Sequence, residues 1–269
     1  MHLLRKNTLL HPGYTAVVGG EDFPLKYLRM GRLFLNGDVQ SYEDNSGEDE
    51  IVMSVISGIC TVHVDGAEPW ENVGDRESFF DGPPTMAYIP RHRNWHVRIV
   101  SDELHALMFR ASARRDTAPA LVRCDEAKEV NIGRDTWHRS AWMVIADNVD
   151  ADRLIVGETR NAPGQWSSYP PHKHDASAPP KEEWYEEIYH FAVEPKQGFG
   201  IQRIYTAPTD PEPLDEVYVV RDGDSVAIPR GYHPVSAAGG YSVGYVWALA
   251  GEERAFGAWS VDPDHDWIG

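Results

Sequence analysis

The amino-acid sequence predicts an all-β protein organised as two related barrels, and three observations carry that expectation. Helical periodicity is almost absent. Short β-branched or aromatic runs recur between Gly, Pro, Asn and Asp turns. A strand-turn unit of the first half also returns, weakly, in the second.

In chain order, residues 51–56, 60–64, 85–89 and 96–100 read as strands of the first barrel. The repeated unit begins at Gly74-Asp75-Arg76, runs through residues 85–89 into Pro90, and ends at Trp95-His96. Its echo begins at Gly223-Asp224, runs through Ile228 into Pro229, and ends at Tyr232-His233. Between the copies, residues 117–126 lose the strand pattern and read as a polar connection. The expected division is residues 1–118 for the first barrel and 119–269 for the second.

A length of 269 residues suits one large or two ordinary domains, and the apolar content is that of a globular chain. The net charge of −17 argues against nucleic acid or an anionic membrane as partner, because either needs clustered Lys and Arg. No apolar stretch approaches the ~18 residues of a spanning helix, and no secretory h-region follows Met1. Cys60 and Cys124 stand far apart and form no motif, so they read as thiols of a reducing cytoplasm. The expectation is a soluble, cytoplasmic protein, with homo-oligomerisation left open.

The chemistry concentrates in the second half. His172-Lys173-His174 places two imidazoles on one face of an extended strand, since residues i and i+2 point the same way, and turns Lys173 elsewhere. Glu187 opens a second strand-like run, and the turn Pro229-Arg230-Gly231 delivers His233 after a third. Three imidazoles and a carboxylate on separate strands converge if those strands close into a barrel, and that donor set suits Zn, Mn, Fe, Ni or Cu. Glu186 competes with Glu187 as ligand, but strand alternation turns it to the opposite face. His96 has no His-x-His ahead of it and reads as an ordinary strand histidine. Residues 175–186 form a loop beside the site, which acts as a lid or packs at the barrel rim.

Three stretches resemble one family: Trp166 to Asp175 around the His pair, Gln202-Arg203-Ile204-Tyr205, and Pro229 to Pro234. With the terminal Asp262-Pro263-Asp264-His265-Asp266-Trp267-Ile268, they resemble the 5-deoxy-glucuronate isomerases of bacterial myo-inositol catabolism. The likeness is close over residues 161–268. The Gly133–Trp142 stretch matches the family's Gly/Arg-rich connector loosely, and no role is read for Arg139. The resemblance implies a bicupin, a chain of two jelly-roll barrels, the first degenerate and the second metal-binding, related to the 4-deoxy-threo-hexosulose-uronate ketol-isomerases. It implies that His172, His174, Glu187 and His233 bind one divalent metal per chain, zinc, with manganese or iron as alternatives. It also implies an aldose–ketose isomerase acting on a small sugar acid.

Such a reaction needs a group that carries a proton between C2 and C1, and Glu183, Glu186, Tyr205 or a metal-bound hydroxide are the candidates. It also needs a cation for the distal carboxylate. Arg203 offers a fork for that role, or else makes a surface salt bridge, and Lys173 is a weaker candidate. Tyr189 shares strand parity with Glu187 and is the best aromatic candidate for the pocket wall. The terminal segment is read as docking Trp267 and Ile268 on a barrel. The ligand set alone also admits a metal-dependent cupin oxygenase or a non-catalytic sugar-acid-binding cupin.

Overall fold

The computed structural model describes residues 2–269, and its regular structure is nearly all antiparallel strand. The first barrel closes a six-stranded sheet on a four-stranded one. The larger sheet runs, in spatial order, Ala120–Val122, Thr85–Ile89, Asp49–Ser57, Leu104–Ser112, Leu28–Leu35 and Gly13–Val18; the smaller runs Ser41–Asn45, Asn94–Ile99, Cys60–Val64 and Trp70–Val73. The second barrel repeats the plan. Its seven-stranded sheet is ordered Leu4–Arg5, Ser225–Ile228, Tyr185–Glu194, Ser242–Gly251, Ile155–Asn161, Arg139–Ile145 and Lys128–Ile132, with Trp166–Ser167, Val235–Ala237, Gly200–Tyr205 and Asp215–Val220 opposite.

The division expected at 118/119 is crossed from both sides. Leu4 and Arg5 pair with Val226 and Ser225 of the second barrel, while Ala120–Val122 extends the first barrel's sheet against Thr85–Ile89. Each barrel thereby lends an edge strand to, or takes one from, the other half of the chain, and the pairing covers an otherwise open sheet edge.

The two large sheets face each other, and this explains their composition. Tyr185–Glu194 is buried along almost its whole length. Tyr185, Tyr189, Phe191 and Val193 fill the interior of the second barrel, whereas Ile188 joins Val52, Leu107 and Phe109 in the core between the barrels. A strand buried on both faces loses the apolar–polar alternation of a half-exposed strand. Inside the first barrel, Leu33, Ile51, Met53, Val62, Ile89 and Trp95 form a third core.

Two glutamates stitch the barrels reciprocally. Glu50 accepts the backbone N–H groups of Asp152, Arg153 and Leu154 at 2.6–2.7 Å. Glu186 accepts those of Lys26 and Tyr27, both at 2.6 Å, and of Leu28. Each is the second residue of its strand, and each reaches across the interface from the face that does not line a barrel. Arg76 and Glu158 add a fully buried ion pair of 2.6 Å between the halves.

Candidate metal centre

His172 and Lys173 form a two-residue strand against Ser260–Val261, so the first imidazole is held by the chain's last strand. Lys173 turns away from the histidines and pairs with Asp175 and, at 2.9 Å, with Glu182. Glu187 enters from Tyr185–Glu194, opposite Ile228. His233 follows a turn in which Gly231 has φ +91°, and a Cβ there would stand 2.6 Å from the Tyr205 carbonyl oxygen. That turn needs glycine, for the positive φ and for the close backbone approach.

His174, Glu187 and His233 are all buried, and their ligand atoms lie within 4.8 Å of one another. Nε2 of His174 is 3.2 Å and Nε2 of His233 is 3.3 Å from the same oxygen, Oε2 of Glu187. The far side of each ring is fixed: His174 Nδ1 donates to the Tyr185 carbonyl at 3.0 Å, and His233 Nδ1 to the Gly231 carbonyl at 2.9 Å. Protonation at Nδ1 leaves the Nε2 lone pairs facing a carboxylate, acceptor against acceptor. His233 Nε2 is sealed from solvent without a hydrogen-bond partner. A divalent cation between the three groups would satisfy them, and the anchoring of each Nδ1 on a carbonyl is the usual support of a metal-bound histidine. The ring of His172 stands 4.9 Å from that of His233 and 6.4 Å from that of His174.

Electrostatics agree with this donor set. Burial, then the neighbouring His174 and Arg139, push His172 down to about 3; burial likewise holds His233 at about 3, so both rings stay neutral and able to ligate. Burial is the largest influence on His174 and opposes its protonation, but the hydrogen bond to Glu187, the charge of that carboxylate and the Tyr185 carbonyl together raise its pKa.

The cluster opens on a cavity of ≈130 Å³. Tyr189 lines it as expected; its hydroxyl lies 2.8 Å from Ser168 Oγ, and its ring stacks on Tyr245 at 4.2 Å. Trp247, Leu249 and Phe256 supply apolar wall, and Trp259 of the C-terminal segment lies 5.5 Å from the His172 ring.

The other expected site residues lie outside this lining. Glu186 is on the opposite face of its strand, committed to the three N–H groups of residues 26–28. Glu183 is buried in the rim loop, where its N–H donates to the Ala258 carbonyl. Tyr205 donates its hydroxyl to Asp262 at 2.7 Å and packs on Tyr232 at 5.1 Å. Arg203 points outward from Gly200–Tyr205, is 43% exposed, and forms a fork on Asp215 at 2.7 and 3.0 Å; the salt-bridge alternative is the one seen. The loop expected at 175–186 ends at Trp184, since Tyr185 and Glu186 already belong to the strand, and it is tied down at the rim, because Glu182 accepts the N–H groups of Asp175 and Ala176 as well as Lys173. In the terminal segment Ile268 is buried, but Trp267 is 78% exposed, so only the former docks.

Arg139 is the arginine in the cavity lining, and the sequence suggested no role for it. It opens the Arg139–Ile145 strand, and its side chain is half-buried at the cavity wall. Besides the nearby Trp137 carbonyl, its surroundings come from Tyr169, His172 and Trp259, which are distant in the chain, so the loosely matched connector does not by itself place it.

Residues 3–268 match the KduI/IolB family. The chain belongs to that family. A Bacillus licheniformis protein named 5-deoxy-glucuronate isomerase is 34% identical over 99% of this chain and 98% of its own length, and a Shouchella clausii protein of the same name is 34% identical over 98% of this chain and 96% of its own. An IolB-like protein from Salmonella typhimurium superimposes with a TM-score of 0.91 at 28% identity, covering 100% of this chain and 99% of that one. Oxalate decarboxylase of Lactobacillus farciminis superimposes with a TM-score of 0.67 at 10% identity, over 95% of this chain and 88% of that one, a likeness of fold alone. The bicupin architecture expected from the sequence is therefore the architecture of the protein. Among the described residues no helix is long and apolar enough to cross a membrane.

Proposed function

We propose that this family member is a cytoplasmic aldose–ketose isomerase that converts 5-deoxy-D-glucuronate into 5-dehydro-2-deoxy-D-gluconate in myo-inositol catabolism. The observation that carries the reading is the buried His174–Glu187–His233 cluster, in a chain similar over 99% of its length to a protein named for that activity. The oxygenase alternative has only the remote likeness of fold to the oxalate decarboxylases behind it.

His172, His174, Glu187 and His233 would hold one divalent ion, zinc in our reading, with manganese or iron as alternatives. Such an ion supplies Lewis-acid polarisation of the adjacent C1 carbonyl and C2 hydroxyl oxygens, which makes the C2 hydrogen acidic. The isomerisation needs no co-reactant. The C2 hydrogen leaves as a proton, its electron pair passes into the C1–C2 enediolate, and a proton returns at C1 while the hydroxyl proton passes from the C2 oxygen to the C1 oxygen, so that C2 is oxidised as C1 is reduced. Glu187 is the one carboxylate among the described residues that line the cavity, and its Oε1 makes no hydrogen bond within the protein. We assign it the proton, removed at C2 and returned at C1. The Tyr189 phenol is raised well above its ordinary range by burial and by Glu187, so it stays protonated and donates to a substrate oxygen. The apolar wall of Trp247, Leu249 and Phe256 excludes bulk water from the reacting carbons.

The test is an NMR assay of the metal-loaded protein with 5-deoxy-glucuronate in deuterated water. Conversion, with solvent deuterium on the carbon that was the aldehyde, is the expected result. Absence of conversion overturns the reading, and conversion without deuterium means either that the proton on Glu187 is shielded from exchange or that a hydride shift replaces the enediolate route.

A further inference from the structure

We infer that Arg139 binds the carboxylate of the substrate and sets the protein's preference for acids over neutral sugars, with Arg134 beside it drawing anions into the site. This inference rests on the isomerase reading above.

The cavity at the cluster adjoins an outer chamber of ≈410 Å³, and Arg139, His172 and Trp259 line both. His174 and Glu187 thus line only the inner cavity, and Arg139 stands with His172 at its junction with the outer chamber. Its guanidinium is held in place: Nη1 donates to the Tyr169 carbonyl at 2.9 Å and to the Trp137 carbonyl at 3.2 Å. Nε and Nη2 make no hydrogen bond within the protein, yet neither is sealed from solvent as the unpartnered Nε atoms of Arg32 and Arg160 are. Among the described residues no carboxylate comes within ion-pair distance of Arg139, whereas Arg76, Arg110 and Arg203 each have one. A half-buried guanidinium without a counter-ion is costly to keep, and the two donors left over match the geometry of a bidentate carboxylate.

The outer chamber extends the argument. Arg134 lines it, stacked on Trp137 at 5.4 Å with Nη2 donating to the Ile268 carbonyl at 3.0 Å. Among the described residues no Asp or Glu side chain lines that chamber, in a chain of net charge −17. Two arginines in an otherwise acidic surface make a local positive field at the mouth. An acid entering there would set its carboxylate on Arg139 and extend its aldehyde end to the His–Glu cluster, so one contact fixes both affinity and orientation.

Arg139→Gln keeps a donor for the Tyr169 carbonyl but removes the charge, and Arg139→Lys restores charge without the fork. Binding of D-glucuronate and D-glucose to the metal-loaded protein is to be titrated calorimetrically, alongside KM and kcat for 5-deoxy-glucuronate, metal content and melting temperature. The expected result is a wild type that prefers glucuronate, and an Arg139→Gln protein that loses about 10–150-fold in acid affinity, the worth of a charge-assisted contact. The loss falls on KM more than kcat, metal content stays at wild type, and Arg139→Lys recovers part of it. Acid preference undiminished in Arg139→Gln overturns the inference. So does an equal loss of glucose binding, which would mark a merely structural role. Should Arg139→Gln fail to fold, the Lys variant decides: full acid affinity without the fork counts against the assignment, and a partial loss confined to the acid upholds it. If the wild type binds glucuronate through Arg139 but does not isomerise 5-deoxy-glucuronate, it is the isomerase reading that fails.

Discussion

In the first barrel Ile51 stands where Glu187 stands in the second. Ile51 pairs with Ile89, as Glu187 pairs with Ile228, and each lies one residue beyond a glutamate, Glu50 or Glu186, that crosses to the other barrel. The register is the same and the clamp is the same, but the inward-facing residues differ: Ile51, Met53 and Val55 stand where the second barrel has Glu187, Tyr189 and Phe191. Farther on, Trp95 turns into the first barrel's core, while His96 faces outward beside His63 with ring centroids 5.8 Å apart. The comparison teaches how a duplicated scaffold separates its tasks. The face between barrels keeps its polar clamps in both copies, and the interior face is free to be filled with apolar packing in one copy and with ligands in the other.

The sharpest way to break the comparison is to write the first barrel's residue into the second. Glu187→Ile is expected to abolish metal retention and to lower kcat/KM by about 10³-fold or more, some 4 kcal/mol in transition-state terms. The barrel should stay folded, since its core does not depend on the ion and an apolar side chain relieves a buried charge. His174→Ala and His233→Ala should behave alike. Metal analysis and a melting curve on the same samples decide it; a metal-replete Glu187→Ile protein would show that the cluster is not the site.

Next in size are the clamps. Removing Glu50 or Glu186 strands three buried N–H donors, and Glu50 also accepts the Tyr88 hydroxyl at 2.7 Å. Urea denaturation should show each Ala variant less stable by roughly 3–5 kcal/mol, on the scale of several lost bonds to a buried carboxylate. Metal content of Glu186→Ala should be unchanged, the reverse of Glu187→Ile. Loss of metal from Glu186→Ala would mean that the two faces are not independent.

These neighbours mark how far the sequence could be read. Parity along one strand separated Glu187 from Glu186, and His-x-His with a glycine turn located the imidazoles, because both are local rules with a period of two. Parity was equally available for Gln202-Arg203-Ile204, where it turns Arg203 outward and Gln202, fully buried, inward; the attraction of a guanidinium near the motif hid it. Arg139 was beyond such rules, since its place depends on two separate segments, residues 169–172 and Trp259, arriving beside it. The exchange of Leu4–Arg5 was invisible for a different reason: two residues carry no periodicity.

A smaller effect sharpens the comparison at the interface itself. His105 of the first barrel and His190 of the second sit in a shared pocket, with Arg32 and Lys196 as nearby cations and Glu77, Glu194 and Asp222 as acids. Burial, then Arg32 and Lys196, push His105 down to about 3; burial, then His105 and Arg32, hold His190 well below its ordinary value. Both stay neutral in the folded protein, while in the unfolded chain they take up protons near pH 6.5. The unfolded state binds more protons as pH falls, so stability should decline from about pH 6.5 toward pH 3. His105→Gln should flatten that decline in denaturation midpoints measured across the range. An unchanged slope would place the acid sensitivity elsewhere.

The smallest expected effect is the one that tests the outward face against the inward one. Arg203 and Arg139 both belong to strands of the second barrel, and both carry a planar fork. Arg203 spends its fork on Asp215, with the pair 43% and 62% exposed, and lays its guanidinium over Tyr205 at 4.0 Å. An exposed pair is worth about 0–1 kcal/mol, so Arg203→Ala should shift the melting temperature by a degree or two and KM for an acid substrate by less than about 2-fold. Such an outcome confines carboxylate recognition to the inner wall. A KM increase of tenfold or more, specific to acids, would instead mean that Arg203 leaves Asp215 and reaches the substrate, and that the outer sheet moves during turnover.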